Sequence, residues 1–466
     1  MIRLGFIGLA NKTYFDKPLA EEKYNSTMKF LRSICEEWNV KLVASDHLIT
    51  ERSGLEKVKE TLRKEDADIV LILLTNFSSG ELASDLGQYL KLSNTPVVIW
   101  GVPEPLGGKL KANSLCCEIF FANIFHSLNI PFKWVFGSPE EKSVQDQLHV
   151  SIKAINAIKK LRSARIAVIG CARPPGFYGS NFDEMSLISR FGVSIQTIEI
   201  ANVLNLAEQA PSSELKKILN KIKRSCVSNL SDNEQSKALR IYWALRKIVE
   251  ENKYDGLAIK CWPEIPDQYN VSVCLPVALL SDLGIPTSCE ADVLGLISML
   301  LSRYATSNKE TPTLLDAILF DEKRNTIGFW HCGAAPLSMK RKETECYVST
   351  HFNRGKPAVC EELLELGPVT ILRLVGTHGD KMLLTEGRII NTPTAFKGSY
   401  GEVEVTKEIK VKDLLNTIIV HGSEHHFSIT PSHHADVINE IAYWLRIKQL
   451  KIIPYERAKN AYAQFS

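Results

Sequence analysis

Three times in its first hundred or so residues the chain carries a short, unbroken apolar run: "RLGFIGLA" (3–10), "ADIVLILLT" (67–75) and "TPVVIWGV" (95–102). A strand with one wet face alternates apolar and polar residues, so runs without alternation must be covered on both faces, as in a parallel sheet. Parallel neighbours need long crossovers. The amphipathic stretches around 20–38, 52–64 and 82–92 supply them as helices. Together with "VKLVASD" (40–46) they predict a Rossmann-like parallel α/β domain over 1–163. Its strand C-termini are where functional loops gather, among them the Pro/Gly-rich loop "WGVPEPLGGKLKANSLCC" (100–117).

The alternation restarts at "RIAVIGCARPPGFYGSNFD" (165–183) and continues through "VSIQTIEI", two polar helices to about 251, "YDGLAIKCWPEIP" (254–266) and "IPTSCEADV" (285–293). A second Rossmann-like α/β domain, 164–310, is expected. The "GCARPPG" turn lacks the GxGxxG spacing and the following acid of a dinucleotide site, so no nicotinamide cofactor is expected. From about 311 short strands separated by turns take over: "TIGFWHCG", "VTILRLVG", "DKMLLTEGRIIN", "GEVEVT" and "NTIIVHG". Long helices return only at "HADVINEIAYWLRIKQLKI". That predicts a β-rich C-terminal domain, a partial barrel, over 311–466.

Charge excludes some functions. Fifty-six basic and 53 acidic residues are spread evenly for a net charge of +3, leaving no footprint for nucleic acid. The one basic stretch, "LKKILNKIKRS" (215–225), has helical apolar spacing and reads as a surface helix. No apolar run is long enough to span a membrane. Eleven cysteines without CxxC spacing, and an N-terminus that runs straight from a strand into polar residues, predict a cytoplasmic protein.

The chemistry concentrates late in the chain. In "TSCEADVLG" Glu290 and Asp292 stand at a strand-to-helix junction, where acids either project catalytically or cap the helix. Asp316 interrupts the apolar "LLDAILF", where an unpartnered carboxylate is costly to bury, unless it sits at an edge facing water. His331 ends the strand in "GFWHCGAAP", as a ligand, an orienting donor or a satisfied core histidine. "GSEHHFSITPSHH" (422–434) holds four of the 11 histidines, and His421 precedes it. Strand periodicity turns His425 and His426 to opposite faces, so one of them faces a shared site, while His433 and His434 precede a helix. One imidazole, two carboxylates and open positions describe a Mn²⁺ or Mg²⁺ site better than a structural zinc site.

"KCWPEIP", "TSCEADVLGLISMLL", "TLLDAILFD", "GFWHCGAAP" and "EHHFSITPSHHADVI", in this order and spacing, resemble the L-fucose isomerase and L-arabinose isomerase superfamily. "TPVVIWGVPEP" and "NSLCC" are similar to its fucose-isomerase-like branch. The resemblance implies a cytoplasmic, metal-dependent aldose-ketose isomerase acting on an open-chain pentose, deoxyhexose or 6-substituted hexose through a cis-enediol. It implies Mn²⁺, with Mg²⁺ or Co²⁺ as substitutes, held by Glu290, Asp316 and His426, with His331 as an additional ligand. Glu290 and Asp316 are then also the proton acceptor and donor. A small-molecule sugar is the expected partner. A homo-oligomer (trimer, tetramer or hexamer) is implied, whose N-terminal domain completes a neighbour's site. The rival readings are a noncatalytic sugar-binding protein, which also has two α/β domains around a cleft, and a metal-dependent hydrolase.

Overall fold

The computed structural model describes residues 1–455 of the 466-residue chain, which divides into two compact units, Met1–Asn156 and Ala157–Ser466.

In the first unit, strands β1 (Ile2–Leu9), β2 (Val40–Ala44), β3 (Ile69–Leu74), β4 (Val97–Gly101) and β5 (Lys133–Phe136) form one parallel sheet in the order β2-β1-β3-β4-β5. Helices α1 (Lys17–Glu37), α2 (Arg52–Lys64), α3 (Gly80–Leu92), α4 (Ser114–Ser127) and the start of α5 (Lys142–Arg162) make the crossovers. All six residues of β3 are buried, as its unbroken apolar run requires of a central strand.

The second unit opens with a four-stranded parallel sheet in the order β10-β9-β6-β7, built from β6 (Arg165–Ile169), β7 (Ser194–Ile198), β9 (Gly256–Ile259) and β10 (Thr287–Ser288). Helices α6 (Glu184–Phe191), α7 (Ile200–Ala207), α8 (Ser212–Ser225), α9 (Asp232–Asn252), α10 (Cys274–Asp282) and α11 (Val293–Ala305) surround it. The basic stretch is α8, which buries Leu215, Leu219 and Ile222 and leaves its lysines outward. Between β7 and β9 there are three helices where the sequence suggested two.

The β-rich part follows: β11 (Thr313–Asp321), β12 (Thr326–His331), β13 (Tyr347–Thr350), β14 (Pro357–Leu363), β15 (Gly367–Val375), β16 (Lys381–Ile390), β17 (Ser399–Val405), β18 (His426–Pro431) and β19 (Lys448–Gln449). Pairing runs β16-β15-β18-β11-β12-β17, and β17 returns to β16, so six strands close a barrel. Closure removes the sheet edges that a partial barrel would expose. A short strand from the α/β region, β8 (Val227–Ser228), joins β13 in parallel, and Cys226 beside it is disulfide-bonded to Cys346. Leu315, Phe329, Ile371, Val403, Phe427 and Ile429 fill the barrel-side core.

Two elements depart from expectation. "NTIIVHG" is not a strand but the end of helix α12 (Val411–Val420). Its β-branched run suggested a strand, but Val411, Leu414 and Thr417 recur at helical spacing and are buried, and tertiary packing overrides the residue preference. The helix expected from 434 onward, α13 (Ala435–Leu445), stops at Arg446, which takes a left-handed conformation (φ 55°), before β19.

Candidate active site

The site forms where the end of the four-stranded sheet meets the barrel, inside the second unit. After β10 the chain turns through Glu290 (φ 57°) and Ala291 (φ 54°), two consecutive non-glycine residues in the left-handed region. Such conformations cost on the order of 1–3 kcal/mol each and persist only where their surroundings fix them. Here the Ala291 N–H donates to Ile259 O (2.9 Å) and the Asp292 N–H to Cys289 O (3.0 Å). The turn pushes the Glu290 carboxylate towards the barrel.

Asp292 caps α11, as one of the sequence readings held: the Gly295 N–H donates to its Oδ1 at 2.8 Å. Only glycine fits at 295, since a Cβ there would lie 2.6 Å from Asp292 Oδ2. Capping occupies one oxygen, and the other does more. His426 Nδ1–H donates to Asp292 Oδ2 at 3.0 Å, and the buried Arg373 guanidinium also donates to that oxygen. Arg373 Nε donates to Glu424 Oε2 at 3.3 Å. Burial pushes the Asp292 carboxyl up, but Arg373 and His426 outweigh it and hold it well below the usual carboxylate range.

Because Nδ1 carries the proton, His426 keeps the lone pair on Nε2 free, the tautomer that can ligate a metal. Asp316 on β11 is the cross-strand partner of His426 on β18, so the two side chains emerge side by side. His426 Nε2 lies 3.4 Å from Asp316 Oδ1 and 3.7 Å from Glu290 Oε2. Both His426 Nε2 and Asp316 Oδ1 are buried without a hydrogen-bond partner among the described residues. Two such atoms facing each other are what a bound cation would satisfy. Burial raises the Asp316 carboxyl, against the pull of His426 and His425.

His331 is buried at the end of β12, with its ring centroid 5.6 Å from that of His426. Its Nδ1 accepts the Cys332 N–H at 2.9 Å, and burial, then His426, push its imidazole well below its ordinary value. Gly333 follows at φ 104°, where a Cβ would strike the Cys360 backbone.

His425 corrects the strand argument. β18 begins at His426, so His425 lies before the alternation sets in, and both rings flank Glu290, 4.1 Å apart. His425 Nε2 is 3.3 Å from Glu290 Oε2, and that contact raises its imidazole. Two sets of donor atoms could therefore hold a metal ion, Glu290–His425–His426 and Asp316–His331–His426, with His426 in both. The remaining histidines stay apart: His433 Nε2 lies 3.0 Å from Gly387 O, His434 is buried beside Thr370, and His421 ends α12.

Aromatic rings continue outward from the acids. The Phe177 ring lies 6.3 Å from that of His425 and 5.2 Å from that of Trp262, over which stands Arg354. Trp330, stacked 6.4 Å from His331, also lines an apolar cavity of about 400 Å³ with Ile318, Phe352, Phe396 and Lys397. Sequence reading had not singled out Arg373, Glu424, Phe177 or Arg354. Arg373 was findable, since an arginine inside the apolar "VTILRLVG" raises the same burial question as Asp316.

Comparison with known proteins agrees with this geometry. Residues 329–452 match the family model described as L-fucose isomerase, C-terminal domain. The chain is 28% identical over 427 residues to sulfoquinovose isomerases of Priestia aryabhattai and Priestia megaterium, covering 91% of this chain and 93% of each relative. It is 28% identical over 393 residues to a sulfoquinovose isomerase of Alkalicoccus urumqiensis, covering 84% of this chain and 86% of the relative. A solute-binding protein of an ABC transporter from Agrobacterium vitis, bound with alpha-D-tagatopyranose, is 11% identical over 56% of this chain and 76% of its own, at a TM-score of 0.18 that carries no weight for the fold. The convergent acids and imidazoles thus lie in a chain whose residues 329–452 are similar to the C-terminal domain of L-fucose isomerase and which is similar along nearly its whole length to sulfoquinovose isomerases.

Proposed function

We propose that the chain is a divalent-metal-dependent aldose-ketose isomerase whose substrate is a hexose with an anionic group on C6, sulfoquinovose, converted to the corresponding 6-sulfonated ketose. The observation that carries the metal-dependent reading is the facing pair of buried, unpartnered atoms, His426 Nε2 and Asp316 Oδ1, with Glu290 beside them. The sulfonated hexose is supported by the names of the relatives matched over most of the chain.

Glu290 and Asp316, both near His426 Nε2, would hold the ion with that nitrogen, with His331 adjoining. This oxygen-rich set with one or two imidazoles suits Mn²⁺, with Mg²⁺ or Co²⁺ as substitutes. Bound there, it would polarise the sugar carbonyl and stabilise negative charge on the neighbouring oxygens. The chain's own groups do the rest. Glu290, held beside His425 and His426 by its left-handed turn, takes the proton from C2 and returns it to C1, and Asp316 holds the proton passing between the O1 and O2 hydroxyls. Asp292 and Arg373 fix the His426 ring and its tautomer, so no reorganisation is needed when the substrate enters. Phe177 and Trp262 give the sugar an apolar wall that excludes water from the reacting carbons. A cytoplasmic homo-oligomer completes the proposal, supported by the family resemblance alone.

The test is turnover of sulfoquinovose, L-fucose, D-arabinose and L-arabinose by the purified protein after EDTA treatment, with and without added Mn²⁺. Ketose formation that needs the metal is the expected result, fastest with sulfoquinovose. Absence of metal-dependent turnover for every sugar defeats the proposal.

A further inference from the structure

Arg354 lies in the turn between β13 and β14, half-buried, its guanidinium carbon 5.5 Å from the centre of the Trp262 ring. Among the described residues its guanidinium makes no ion pair and no hydrogen bond. Elsewhere in the unit the fully buried Arg373 holds Asp292 and Glu424, the buried Arg341 donates to several carbonyls, and the half-buried Arg246 meets Glu214 and Glu250. The acid nearest in sequence to Trp262 is Glu264, whose Oε1 meets Lys260 and whose Oε2 is buried without a hydrogen-bond partner among the described residues. Arg173, the other cation near this wall, donates to Asn181 and to the Pro174 carbonyl and covers Tyr178.

Two ring N–H donors near Arg354 lack acceptors among the described residues. His351, in the same turn, accepts the Asn353 and Arg354 N–H groups on Nδ1, so its Nε2 carries a proton; that atom is buried without an acceptor, and so is Trp262 Nε1. From Glu290 the path to Arg354 runs through His425, Phe177 and Trp262, each in ring or polar contact with the next. A guanidinium held against an aromatic face and not committed to a carboxylate is free to take up an anionic ligand.

We infer that Arg354 is the specificity-determining cation for the anionic C6 group of the sugar whose C1 and C2 lie at Glu290 and Asp316. The assignment rests on the isomerase reading for where the other end of the sugar sits. A sulfonate carries one negative charge and three acceptor oxygens, matching one unpaired guanidinium, whereas a phosphate monoester carries nearly two charges at neutral pH. The geometry therefore favours the sulfonate.

Binding of sulfoquinovose, its neutral counterpart quinovose and glucose 6-phosphate is measured by titration calorimetry in EDTA, with the full chain and its Arg354→Gln and Arg354→Lys variants, whose folding is checked by circular dichroism. The wild type is expected to bind sulfoquinovose at least about tenfold more tightly than either of the others. Arg354→Gln is expected to abolish the preference over quinovose, and Arg354→Lys to restore part of it. An unchanged preference in Arg354→Gln, equal weakening of both sugars, no sulfoquinovose binding by the wild type, or tighter binding of glucose 6-phosphate overturns the assignment. Because the readout is binding without metal, an Arg354-dependent preference in a protein that isomerises nothing would leave this inference standing while the isomerase reading fell.

Discussion

His426 donates its Nδ1–H to Asp292 Oδ2 across 3.0 Å, although 134 residues separate the two in sequence. The contact converts a helix-capping aspartate into the group that fixes which imidazole nitrogen is free. Asp292→Asn keeps a competent N-cap but removes the charge that holds the ring. Mn²⁺ affinity is expected to fall about 10- to 100-fold, the usual loss when an orienting partner of a ligating histidine is removed. Mn²⁺ titration at a temperature where the variant is folded checks it, and an unchanged affinity would show that Asp292 is a cap and nothing more.

Glu290→Gln and Asp316→Asn are expected to lower kcat by at least about 10²- to 10⁴-fold, the range for loss of a general acid or base. Neither should unfold the protein, because each removes one of several acids gathered around a single imidazole. Near-wild-type kcat in either variant would remove that residue from proton transfer.

Metal binding should appear as stability. A ligand present at 100 times its Kd stabilises by about 2.7 kcal/mol, so saturating Mn²⁺ is expected to raise the Tm of the wild type by several degrees. His426 belongs to both sets of donor atoms, and His426→Ala should abolish the rise. A Tm in the variant that still climbs with Mn²⁺ would place the ion elsewhere.

Arg373 is fully buried between Asp292 and Glu424. Arg373→Met leaves two carboxylates without their cation, and breaking a buried ion pair from one side costs about 3–5 kcal/mol. Denaturant unfolding should show a loss of that size in the second unit. A loss below about 1 kcal/mol would mean that the carboxylates find other partners or take up protons at little cost.

Stability of the first unit should depend on pH through Glu118 on α4, buried against Gly101. Burial pushes its carboxyl from an ordinary 4.5 up to about 7. A carboxyl raised by folding favours the protonated form, so its favourable contribution is complete below about 4.5 and is lost as pH rises through 7. The loss is on the order of 2–3 kcal/mol by pH 8. Glu118→Gln should therefore be more stable than the wild type at pH 8 and close to it at pH 4.5. Parallel pH profiles for the two proteins would rule the effect out.

Most of the architecture was legible because its signals are local. Unbroken apolar runs such as "ADIVLILLT" can fold only as strands covered on both faces, and the turn-separated runs after 311 announce antiparallel strands. The conversion of "NTIIVHG" into a helix was not legible, because that choice was settled by what Val411, Leu414 and Thr417 pack against. Glu290, Asp316, His331 and His426 could be named because acids and imidazoles at strand ends, or inside apolar runs, are costly without a purpose, and because their motifs resemble a family.

Convergence and protonation were beyond the sequence. A strand register had to set Asp316 opposite His426, a left-handed turn had to aim Glu290 at both His425 and His426, and a buried arginine from β15 had to hold Asp292 ionised beside an imidazole. The sequence by itself determined which residue types were available and which local elements carry them, since both follow from short-range pattern and the cost of burying charge. Only the tertiary structure decided which nitrogen of His426 is free, that Asp292 both caps a helix and orients a ligand, and that Arg354 stands over Trp262 with no carboxylate among the described residues. Each depends on distances between residues far apart in the chain, and short-range pattern carries no record of those.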